Sequence, residues 1–161
     1  MKDLIDKLSS YNIFNYLFPG VVFSLLITKL TSYNFMFDNL FIGAFAYYFI
    51  GLTISRIGSV IIEPFLKWLR FVKFAEYKDF VKVSKNDLKL KTLSEANNMY
   101  RTIISLFVTV FILLGTQKLA KHWPFFYENQ GFLALIFLLI LFVFSYRKQT
   151  NYITHRINSS K

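Results

Sequence analysis

The chain has 161 residues, enough for one compact unit, and 55% of them are hydrophobic, with 20 Phe. A soluble domain of this size cannot readily hide so much apolar surface, and with no Cys the chain has no disulfide, zinc-thiolate centre or thiol nucleophile. The net charge of +10 alternates with apolar runs, so membrane orientation and anionic lipid explain it before nucleic acid does.

The first ten residues, MKDLIDKLSS, are short and amphipathic, with Leu4, Ile5 and Leu8 on one side. They carry two acids and two bases and lead to no small-residue cleavage site, so the first span reads as its own insertion signal. Ser9 and Ser10 stand where helix N-caps are favoured. That span is predicted over about 11–30, with a packing kink at Pro19 and Gly20, since proline removes a backbone donor. Asn12 and Asn15, one turn apart, are expected to bond to helix neighbours.

A short aromatic loop, Thr31 to Asp38, leads to the second span, Asn39 to Ile62. Its 24 residues include one charge, Arg56. As a helix it reaches ~36 Å, beyond the ~30 Å of a bilayer's hydrocarbon core. Gly51, Ser55 and Ser59 recur every four residues, a stripe that lets another helix approach closely, either within the chain or from a second copy. Arg56 and Glu63 are two helical turns apart, facing the same way but ~10 Å from one another along the axis. Intramembrane charges are costly and often functional, so both are candidate pore, ligand or lipid contacts.

Glu63-Pro64 is expected to end or bend this helix. The polar segment that follows contains eight Lys/Arg against four acids up to Tyr100. Its opening, PFLKWLRFVKFA, puts Phe65, Trp68, Leu69, Val72 and Ala75 at helical spacing opposite Lys67, Arg70 and Lys73. That pattern predicts a helix lying in the membrane interface, with Lys67, Trp68, Arg70 and Lys73 meeting lipid or a partner. The remainder predicts a further helix and a return loop, with a restart at Ser94.

The third span is predicted at about 99–120, its end cations Arg101 and Lys118 snorkelling outward. Asn98, Thr102, Ser105, Thr109 and Thr116 fall roughly along one face, and such hydroxyls usually pack or bond to backbone. Lys121 to Gln130 reads as a loop with an aromatic belt of Trp123, Phe125, Phe126 and Tyr127. The fourth span, 131–146, has only Ser145 as a polar residue before Tyr146 and is expected on the outside of the bundle; a basic tail follows.

Sixteen of the 19 Lys/Arg fall on one side of this arrangement, which predicts both termini and the central segment in the cytoplasm. His122 and His155 then lie on opposite sides and share no metal. No metalloprotease, hydrolase or phosphate-loop motif is present, so no enzyme, cofactor or metal is expected.

Ser9 to Phe23, SSYNIFNYLFPGVVF, and Ile50 to Pro64, IGLTISRIGSVIIEP, resemble small uncharacterised bacterial inner-membrane proteins, some encoded beside anti-phage defence genes. The resemblance implies a bacterial inner (plasma) membrane location and a defence role, and carries no functional residue across.

The expected fold is all-α, a polytopic membrane protein with four transmembrane helices and a cytoplasmic helical segment, 64–98, between spans two and three. Gly51, Ser55, Ser59, Thr102, Ser105 and Thr109 are the expected helix-packing residues. The expected function is non-enzymatic: a self-associating membrane effector or pore-type component in a bilayer with anionic headgroups. The alternative is an anchor or sensor that recruits a cytoplasmic protein through its basic central segment.

Overall fold

The computed structural model describes residues 10–84, 86–119 and 124–159. Leu4, Ile5, Leu8 and Ser9, like His122 and Trp123, lie outside them. The described residues are helical with no strand, and four helices are long and apolar enough to cross a membrane. In chain order the elements are α1 (Ile13–Leu30), α2 (Leu40–Trp68), α3 (Tyr77–Ser84), α4 (Leu88–Leu119), α5 (Pro124–Glu128) and α6 (Gln130–Asn158). Asn39 starts α2, its side-chain oxygen accepting from the N–H groups of Phe41 and Ile42 at 2.9 and 3.1 Å.

Pro64 does not end the second helix. Its ring would press on the carbonyl four residues back, and α2 absorbs this by widening into a π turn, Gly58–Ile62. The Glu63 N–H then bonds to the Gly58 carbonyl five residues back, and the helix continues to Trp68. The same device carries α1 past Pro19: Ile13–Leu17 is a π turn, and the Phe18 N–H reaches the Ile13 carbonyl.

The predicted interfacial helix stops early for a different reason. Arg70 takes a positive φ of 57°. Its N–H bonds to the Lys67 carbonyl and that of Phe71 to the Leu66 carbonyl, both at 3.0 Å, which is a Schellman end with arginine in glycine's usual place. Val72 and Ala75 are therefore not on one helix face with Phe65 and Trp68. The third long helix begins at Leu88 and passes Ser94 unbroken, so there is no restart there. The basic tail is helical as far as Asn158, and the second loop holds the short α5.

Lipid tails are as apolar as leucine, so close packing and polar bonds must hold such helices together. Gly20 and Gly51 provide the closest approach. A Cβ on Gly20 would fall 2.7 Å from the carbonyl carbon of Tyr47, and one on Gly51 would fall 2.6 Å from that of Tyr16. Each glycine thus lies on the backbone of the other helix, and α1 and α2 touch antiparallel. Phe23, Ile27, Ile54, Leu106 and Val110 form a core shared by α1, α2 and α4. α6 is peripheral: its buried residues are Leu141, which joins Ile57 and Ile62, and Ser145.

Candidate functional site

Two polar layers interrupt this apolar packing, both built on α2. In the first, Asn15 Nδ2 donates to Ser55 Oγ at 3.3 Å, and Thr102 Oγ1 lies 2.9 Å from Asn15 Oδ1 and 3.2 Å from Ser55 Oγ. Thr102 also lies 2.9 Å from the Asn98 carbonyl, and Ser105 Oγ donates to the Ile54 carbonyl at 2.8 Å. All four side chains are buried. The π turn of α1 carries Asn15 into this layer, and three helices are joined there without a charge.

The second layer lies two turns further along α2 and is ionic. Glu63, with 6% of its side chain exposed, receives Lys67 Nζ at 3.0 Å and Lys148 Nζ at 3.2 Å on Oε1, and Arg101 Nη1 at 2.5 Å on Oε2. These cations come from α2, α6 and α4. Lys148 also donates to the Ser59 carbonyl at 2.5 Å. The local backbone explains that bond. In a π turn the Ser59 carbonyl would accept from residue 64, and residue 64 is proline, which has no N–H. The freed carbonyl and the carboxylate together give one ammonium two acceptors.

A buried carboxylate at the end of an apolar helix is costly unless it is paired and hydrogen-bonded. Here it is paired three times over, which leaves two positive charges in surplus. Arg101 Nε is buried with no hydrogen-bond partner among the described residues.

Of the candidates read from the sequence, Glu63 is the centre of the ionic layer, Lys67 is one of its cations, and Ser59 supplies its carbonyl. Arg56 is not part of it; its Nη2 lies 3.5 Å from the Tyr16 hydroxyl, on the α1 side. Gly51, Ser55 and Ser59 spend their stripe inside the chain, on α1, on Asn15 and Thr102, and on Lys148. Thr102 and Ser105 are in the uncharged layer, whereas the Thr109 hydroxyl turns back to the Ser105 carbonyl. Trp68, Arg70 and Lys73 are exposed and outside both layers.

Arg101 and Lys148 are the residues sequence reasoning missed as members of a site. Arg101 is not a lone end cation but is bonded to Glu63. The available signal was Glu63 itself, an acid set directly after the long apolar run 39–62, which needed cations from other helices. The chain matches no protein-family model, no curated protein and no solved structure.

Proposed function

We propose that the chain is a non-enzymatic, multi-pass protein of the bacterial inner membrane that holds an ordered helical cap on the cytoplasmic side for a cytoplasmic protein partner. The cap carries this reading. At 32 and 29 residues, α4 and α6 would be ~48 and ~44 Å long, well beyond the apolar layer. Their extensions lie beside α3, whose Val81 is buried and whose Tyr77 ring meets Tyr152 and His155, with centroids 5.8 and 6.3 Å apart. The outer side bears exposed Lys78, Lys82, Lys89 and Lys91. Both termini in the cytoplasm follow from the Lys/Arg asymmetry.

Proximity labelling from a carboxy-terminal fusion in cells tests this, wild type beside the paired Lys78→Glu and Lys82→Glu variant. Recruitment predicts that a cytoplasmic protein labelled by the wild type is lost from the variant while membrane insertion is unchanged. Identical labelled sets refute it.

A self-associating, pore-type effector is the second reading. Its support is the broad exposed apolar face of α6, from Phe132 to Phe144, which could meet lipid or another copy. Its path would need residues other than Ser55, Thr102 and Ser105, which are bonded inside one chain. Fast ion efflux from sealed liposomes holding only this protein would favour it. A role in anti-phage defence rests on the two resembling segments alone.

A further inference from the structure

We propose that the cations around Glu63 form a binding site for a phosphate-bearing anion at the depth of the lipid headgroups. Glu63 cancels one of three positive charges and is itself shut away. Lys67, Arg101 and Lys148 keep 42%, 21% and 25% of their side chains exposed, so their outer sides can meet a second anion. Donors remain for it. A lysine ammonium has three and an arginine guanidinium five. Lys67 gives one to Glu63 through Nζ and Arg101 gives one through Nη1, so both keep further donors. Phosphate oxygens match both a guanidinium fork and a point ammonium.

The surroundings set the depth. Phe65, Trp68, Leu69 and Phe71 beside Lys67 are large and more than half exposed, as expected of side chains at the membrane–water interface. The Phe74 ring lies 4.1 Å from Lys67 Nζ and holds that ammonium at the rim. Free phosphate and the phosphodiester of an anionic lipid share this chemistry. The inference needs the membrane spans and does not depend on a cytoplasmic partner.

The test uses the full chain with Lys67→Gln, whose long exposed side chain can be lost while Arg101 and Lys148 still hold Glu63. Lys118→Gln, an exposed cation at the far end of α4, is the control. Phosphatidylglycerol retained per chain is measured by native mass spectrometry after detergent exchange. Thermal unfolding is then followed in nanodiscs of neutral lipid with inorganic phosphate or with chloride at matched ionic strength. A lost charged hydrogen bond predicts about tenfold weaker binding in Lys67→Gln and none of that loss in Lys118→Gln. Lipid retention that follows this pattern assigns the site to a headgroup. Stabilisation by inorganic phosphate that follows it, without lipid retention, assigns the site to free phosphate. Equal behaviour of the two variants, or no response to either anion, overturns the proposal.

Discussion

The contact between Gly20 and Gly51 sets a quantitative test, because the chain carries its own control. Gly115 is also helical, and a Cβ there would meet nothing within 4 Å. Gly115→Ala therefore gains only helix propensity and should stabilise by about 0.5–1 kcal/mol. Gly51→Ala has the same gain, but its Cβ would fall 2.6 Å from the Tyr16 carbonyl carbon and 3.0 Å from the Gly20 nitrogen. Ordinary contacts to carbon need ~3.5–4.0 Å, and the Tyr16 carbonyl oxygen lies nearer still, so the helices must part by more than ~1 Å. Overpacking of this kind costs about 1–3 kcal/mol. Parting also weakens the two Cα–H···O contacts that the crossing allows, about 0.5–1 kcal/mol each. With the propensity gain subtracted, Gly51→Ala should destabilise by about 1–4.5 kcal/mol, opposite in sign to Gly115→Ala. Reversible unfolding in mixed micelles, followed by circular dichroism, measures both. If the two variants shift stability in the same direction, the backbone contact is not what joins α1 to α2.

Four further outcomes are expected. Glu63→Gln leaves Arg101 and Lys148 without their anion and should cost about 3–5 kcal/mol in the same unfolding assay, part of it recovered by adding Lys148→Met. Arg70→Gly removes the left-handed strain at φ 57° and should raise stability by about 1 kcal/mol; a loss would mean that the arginine side chain outweighs its backbone cost. Thr102→Val breaks the uncharged layer and should cost about 0.6–1.7 kcal/mol, read as an earlier unfolding midpoint. Because the chain has no Cys, single substitutions report sidedness: Asn34→Cys should react with a membrane-impermeant maleimide on intact spheroplasts, and Lys82→Cys only after they are opened. Reaction at Lys82→Cys from outside would reverse the topology.

Much of the bundle was legible in sequence because long apolar runs need no partner to be recognised. Asn39 to Ile62 announces a helix by length alone, and its start coincides with the Asn39 cap. The shared face of Thr102 and Ser105 could be read from helical spacing, as could the outer position of the fourth span from its lack of polar groups. The early stop at Trp68 could not be read, because alternating apolar and basic residues continue to Ala75 while the end is set by the φ of one arginine. Nor could the passage through Pro64, where a π turn replaces the expected break.

Sequence by itself determined that the chain has runs long and apolar enough to cross a membrane. An apolar run of bilayer length needs no long-range contacts for this, because each helix satisfies its own backbone bonds. Tertiary structure alone decided what the polar residues do. Whether Arg101 faces lipid or a carboxylate depends on where α2 ends up, 38 residues away in the chain. Lys148 reaches Glu63 and Ser59 across separations of 85 and 89 residues. The spacing of charges along a chain fixes only which side of its own helix each one occupies. The partner on the next helix is fixed by packing, here by two glycines in contact and by the turn that opens ahead of Pro64.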